Sequence, residues 1–127
     1  MSTETAARTG ADTALPRSFM RPCLLLLLRE RPAHGYDLLE RLHAFGFSAS
    51  DPGGLYRALR KLEDEGLVHS AWESSESGPD RRIYELTRPG MEELHRHATG
   101  LAEARDALGT FLARYEEFVA LRAAKAR

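Results

Sequence analysis

The rhythm of apolar positions changes repeatedly along this chain, and each change marks an element. Residues 1–14 (MSTETAARTGADTA) are polar and small with no period, which predicts a disordered arm. Residues 18–31 (SFMRPCLLLLLRER) carry five consecutive leucines. Apolar on every side, this first helix should be covered on several sides, by its own domain and by a partner helix. Ser18 is its candidate cap, and Pro22 falls in the first turn, where amides have no intrahelical partner. Arg31-Pro32-Ala33 breaks the helix and His34-Gly35-Tyr36-Asp37 opens a second, running to about Phe45 with Leu38, Leu39 and Leu42 as its stripe. Residues 46–50 make the turn that follows, with Phe45 and Phe47 plugging the core beside it.

Residues 51–65 form the central helix. Asp51, Pro52 and the Gly53-Gly54 pair supply its start and Gly66 its stop. Leu55, Ala58, Leu59 and Leu62 recur at helical spacing, with Tyr56, Arg57, Arg60 and Lys61 turned away from that face. The pattern then shortens to β-like runs at 67–72 and 83–86, separated by a turn-rich loop, 74–80, that leads into Arg81-Arg82. A helix with a basic outer face followed by a hairpin with a basic arm is the layout of a winged helix-turn-helix, mainly α with a small β-hairpin. Such a helix fits a major groove while the hairpin follows the adjacent backbone.

Thr87, with Arg88, Pro89 and Gly90, starts a last helix. Leu94, Leu101, Leu108 and Tyr115 repeat every seven residues, with Ala98, Leu112 and Val119 between them and Phe111 and Phe118 widening the stripe. A seven-residue apolar repeat calls for a partner helix, so this segment is expected to pair two copies of the chain as a homodimer. Gly100 and Gly109 are poor helix formers and mark places for a bend or break. The expected organisation is an arm (1–14), a winged domain (15–88) and a dimerisation helix (89–127).

Composition narrows the class. The formal net charge is -1, so any nucleic-acid binding must come from segregated cations, felt within a Debye length of ~10 Å. Arg17, Arg21, Arg57, Arg60, Lys61, Arg81 and Arg82 do cluster in the first two-thirds, with acids at the ends of the central helix. The single cysteine, Cys23, cannot form an internal disulfide, which fits a cytoplasmic protein. The leucine run is too short to span a bilayer, so no membrane partner is expected. His34 at a helix entry reads as a capping or packing residue. His95 and His97 fall on different helix faces, so no metal site is expected, and no cofactor. No phosphate loop, nucleophile elbow or catalytic His–carboxylate spacing supports an enzyme.

Three motifs resemble the PadR family of bacterial transcriptional regulators. Pro32-Ala33-His34-Gly35-Tyr36 after the leucine-rich helix is similar to its HGY signature. Asp51 to Leu59, with Leu62-Glu63-Asp64-Glu65-Gly66-Leu67-Val68, resembles its recognition-helix segment, and Ser77 to Thr87 its wing. The opening Pro16-Arg17-Ser18-Phe19-Met20-Arg21-Pro22 is most similar to the polyhydroxybutyrate-responsive branch. Two positions depart from the pattern: Gly54 where a Thr or similar residue is common, and Asp80, a negative charge at the wing tip. The lone Trp72 lies on the wing strand, so an aromatic drug-binding pore at a dimer centre is not implied.

The resemblance implies a repressor that binds double-stranded DNA as a homodimer, on an inverted-repeat operator with half-sites roughly one turn (~34 Å) apart. Tyr56 and Arg57 are placed to reach base edges, Arg60 and Lys61 to hold phosphates, Arg81 and Arg82 to reach along the backbone, and Ser50, Gly53 and Gly54 to line the helix entry. The family often takes a small-molecule effector, which no feature here specifies. The alternative is a winged domain used for protein–protein contact.

Overall fold

The computed structural model describes residues 16–48 and 51–126; residues 1–14, expected to form an arm, and Ser50 lie outside the described residues. A 3-10 turn, Arg17–Phe19, enters α1, Met20–Glu30. Ser18 is not the cap: Phe19 holds that position without a side-chain hydrogen bond, because the 3-10 turn that contains Ser18 moves the helix start one residue on. Leu24, Leu25, Leu27 and Leu28 are buried and Leu26 is turned out. Their cover comes from the protein's own α2, α3 and β3.

Arg31, which precedes Pro32, is driven to extended backbone (φ -172°, ψ 155°) and ends α1. The chain then forms a two-residue strand, β1 (Ala33–His34), that the apolar pattern is too short to announce. α2 covers only Gly35–Arg41, and the stretch expected to continue it tightens into a 3-10 turn, Leu42–Phe45, closed by Gly46 at φ 91°. Arg41 reaches back to the free carbonyl end of α1, donating to the Leu27 carbonyl at 3.1 Å and to Glu30 at 2.8 Å. Phe47 is buried and stacks on Phe19, which meets the edge of Phe45.

α3, Pro52–Asp64, begins as its sequence predicts: Asp51 accepts a hydrogen bond from the Gly54 N–H at 3.0 Å and Pro52 occupies the first turn. Gly66 ends it at φ 78°, a left-handed conformation that a side chain would strain. Strands β2 (Val68–Glu73) and β3 (Arg81–Leu86) form the wing, and the antiparallel sheet has the order β1-β3-β2. Pairing extends outward past the apolar run, so Arg81 and Arg82 lie on β3, opposite Glu73 and Trp72, rather than in the loop. Leu24, Leu25, Leu38, Leu42, Leu55, Leu59, Leu62 and Val68 are fully buried. Each contributes roughly 1.5–3 kcal/mol of transfer free energy, which makes this leucine cluster the scaffold that holds α3 and the wing in place.

α4 runs Arg88–Ala126 without interruption, so neither Gly100 nor Gly109 breaks it. Thr87 starts it, its hydroxyl donating to the Gly66 carbonyl at 2.7 Å and accepting from the Gly90 N–H at 3.1 Å. The chain divides into two compact units, Met1–Leu94 and His95–Arg127. The first turns of α4 belong to the first unit, where Leu94 packs against the leucine core rather than standing free for a seam. The second unit is the remainder of the helix, on which Ala98, Leu101, Leu108, Phe111, Leu112, Tyr115 and Val119 are all exposed. No helix among the described residues is long and apolar enough to cross a membrane.

Candidate nucleic-acid interface

Burying Leu55, Leu59 and Leu62 fixes the rotation of α3 and turns Tyr56, Arg57, Arg60 and Lys61 outward. Residues four apart share a face, so these side chains form two rows. Tyr56 and Arg60 run toward the wing, where both act electrostatically on the Tyr84 hydroxyl together with Arg82 and Glu63. Burial first of all raises that hydroxyl above its ordinary value of 10.0. Arg57 and Lys61 run toward the entry of α1 and line an open basic groove of about 370 Å³ with Arg17, Ser18 and Arg21.

The cations of the first unit divide into paired and unpaired. Arg57, Arg60, Lys61, Arg81 and Arg82 make no ion pair with any described residue. Arg17 instead meets Asp51 at 2.7 Å, and Arg21 meets Glu65 and, at 3.0 Å, Glu93. The Arg17 hydrogen bond, then the Gly54 N–H, hold the Asp51 carboxyl below the ordinary carboxylate range. Partial burial alone would lower Arg21, but its bonds to Glu65 and Glu93 prevail and raise it. Arg17 and Arg21, counted from sequence among the segregated cations, are therefore neutralised within the fold.

On the wing, Arg81 and Arg82 do not act as a pair, since adjacent strand residues point to opposite faces of the sheet. Arg82 shares its face with Trp72, directly across the ladder, and its guanidinium carbon lies 5.0 Å from the centre of the indole ring. Its Nε donates to the Ser70 hydroxyl at 2.7 Å, and that hydroxyl donates to Glu63 on α3 at 2.8 Å. Helix and wing are thus bridged, and Arg82 is oriented from two sides. Asp80 stands exposed at the foot of the loop. His34 is a wing anchor: its Nε2 lies 2.7 Å from Glu73 at the end of β2.

Two glycines matter through the space they leave. A Cβ at Gly35 would lie 2.6 Å from the Tyr56 hydroxyl and 2.8 Å from its Cζ, so the Tyr56 ring rests directly on the α2 backbone. A Cβ at Gly54 would run into the Asp51 carboxylate and reach 2.8 Å from Arg17 Nη2, so the glycine at this position accommodates the Arg17–Asp51 pair. Gly53 is exposed, with Arg57 Nη1 3.2 Å from where its Cβ would be. Sequence reasoning missed the roles of Ser70, Glu63, Trp72 and Gly35. Trp72 against Arg82 becomes readable once the hairpin register is known, whereas the Gly35–Tyr56 contact joins two helices and leaves no local signal.

Fold and face together define a winged helix-turn-helix protein whose recognition helix and wing carry unpaired cations. Residues 24–96 match the transcriptional regulator PadR-like family, and the chain belongs to that family. It is 35% identical over 98 residues to transcriptional regulator Rv3488 of Mycobacterium tuberculosis, the match covering 73% of this chain and 90% of the relative. Among solved structures, a PadR family transcriptional regulator from Eggerthella lenta superposes with a TM-score of 0.66 at 31% identity, over 76% of this chain and 83% of that one. Bacillus subtilis PadR in complex with operator DNA superposes with a TM-score of 0.58 at 27% identity, over 65% of this chain and 48% of that one.

Proposed function

We propose that this transcriptional regulator acts by binding an inverted-repeat operator as a homodimer, through α3 and the wing, and represses transcription in the cytoplasm. The observation that carries it is the division of cations: those on the outer side of α3 and on the wing form no ion pair with any described residue, while those at the α1 entry do. Unpaired cations on a helix and on the hairpin beside it are a phosphate-binding arrangement, and the relative solved with operator DNA supports the same use here. Tyr56 and Arg57, in the first half of α3, are assigned to base edges. Arg60, Lys61, Arg81 and Arg82 hold phosphates, with the exposed Gly53 letting the backbone come close; Gly54, read from sequence as a DNA contact, is buried behind the Arg17–Asp51 pair and takes no direct part. The exposed stripe from Ala98 to Val119 forms the seam between copies. No enzymatic step is part of this role.

Selecting bound fragments from the organism's genomic DNA, then titrating one across a salt series, tests it. Each phosphate contact contributes roughly 0.9 to the slope of log K against log salt, so replacing Arg81 and Arg82 in both subunits should flatten the slope by up to ~4. Asp80→Asn should act oppositely, tightening binding at low salt. Recovery of no enriched sequence would instead support a protein-contact role for the domain.

A further inference from the structure

Beyond the predicted contacts, the first unit carries an exposed aromatic cluster. Tyr36 on the first turn of α2, Tyr56 on α3 and Trp72 on β2 are 69%, 42% and 65% exposed. They line one open slot of about 300 Å³ beside the wing, with Gly35, Arg81, Arg82 and Tyr84. Large rings left in water on three different elements, around one slot, are not a by-product of core packing. Their rigidity is also built in: Tyr56 rests on the Gly35 backbone, and Arg82 is held by Trp72 and by Ser70, whose hydroxyl is in turn fixed by Glu63.

We propose that this slot seats one sugar–phosphate strand of duplex DNA, with Tyr36 and Trp72 as contact residues and with Gly35 and Ser70 as positioning residues. The proposal rests on the DNA-binding role assigned above and extends it to residues outside the helix-and-arginine set. The Nη atoms of Arg82 make no hydrogen bond with the described residues and are available to a phosphate, to which the Tyr36 hydroxyl can also donate. Between phosphates the deoxyribose offers C–H faces that pack on the indole and phenol rings. Asp80 and Arg81 also line the slot, where Arg81 adds positive charge and Asp80 repels phosphate. A free anion would gain only the polar contacts and meet Asp80, whereas a strand continuous with the groove read by α3 gains the ring contacts as well.

Trp72 is the chain's only tryptophan, so its fluorescence reports on this slot alone. The full-length protein is titrated with a selected operator duplex, gel retardation establishing saturation, and Trp72 quenching by acrylamide is measured free and bound. The expected result is a severalfold fall in quenching on saturation. Trp72→Ala and Tyr36→Ala, both at exposed positions that leave the core intact, should each weaken operator binding roughly tenfold. Gly35→Ala should displace the Tyr56 ring and reduce discrimination between operator and scrambled duplex while leaving the salt slope unchanged. Undiminished acrylamide quenching in a saturated complex, or wild-type affinity in both alanine variants, overturns the proposal and leaves DNA binding standing. Absence of any retarded duplex at low salt overturns both, and is seen before fluorescence is read.

Discussion

Glycine to alanine inside a helix ordinarily stabilises by up to ~1 kcal/mol, yet α4 contains a glycine where the same change should do the reverse. A Cβ at Gly90 would lie 2.6 Å from Leu86 Cδ1 and 3.1 Å from the Leu67 carbonyl carbon, with the Leu67 carbonyl oxygen nearer than either. The obstacle is backbone, so no rotamer relieves it, and the start of α4 must move off the sheet by roughly 1 Å. That movement strains the Thr87 N–H bond to the Leu67 carbonyl, 3.1 Å long, and the Thr87 cap on Gly90. Overpacking against a fixed wall costs about 1–3 kcal/mol. The loosened hydrogen bond and cap add about 1 kcal/mol each, against about 1 kcal/mol of helix propensity gained. The net is a destabilisation of about 2–4 kcal/mol, or roughly 10–25 °C in Tm for a unit of this size. Gly100 supplies the control, since nothing lies within 4 Å of the position its Cβ would take. Thermal melts followed by circular dichroism should place Gly90→Ala well below wild type and Gly100→Ala at or above it. A Gly90→Ala protein that melts with wild type would refute the claim that this junction is closed by backbone contact.

Other substitutions probe the seam, specificity and the buried thiol. Leu101→Asp with Leu108→Asp should place charges in the proposed seam at a cost of several kcal/mol, so light scattering should report monomers. Arg57→Ala should lose ~1–3 kcal/mol on operator DNA and much less on random DNA, measured by competition; an equal loss on both would make it a phosphate contact only. Burial pushes the Cys23 thiol from 9.0 up to about 12, so it should resist thiol reagents at neutral pH and react only once the protein unfolds. The unfolded chain ionises this thiol near 9.0 and the folded one near 12, so Cys23 should make stability fall as pH rises between those values, an effect absent in Cys23→Ala. Asp51, held low by Arg17 and the Gly54 amide, has the opposite sign: its contribution is present above the ordinary carboxylate pKa and is lost as pH falls through the depressed one. Asp51→Ala should therefore flatten the acid limb of a pH–stability curve.

Local chemistry alone was enough to place α3. Its cap, its leucine stripe and the left-handed glycine after it each act within a few residues, so Asp51, Leu55, Leu59 and Gly66 announce both helix and rotation. The outward row of Tyr56, Arg57, Arg60 and Lys61 follows from the same periodicity, as does the hairpin from its turn-rich loop. What sequence could not settle depended on partners distant along the chain. Ser18 looked like a cap, but the 3-10 turn ahead of α1 left it outside the helix start. β1 is two residues long and exists because β3 pairs with it. Arg17 and Arg21 read as free cations until Asp51, Glu65 and Glu93, 34 to 72 residues away, came within reach. Arg81 and Arg82 read as one basic arm until strand register sent them to opposite faces and stacked Arg82 on Trp72. Periodicity is a property of one element and survives in the sequence. Charge pairing, strand register and the fit of a ring against a glycine are relations between elements, so only the tertiary structure decides which cations remain available and which aromatic rings share a slot.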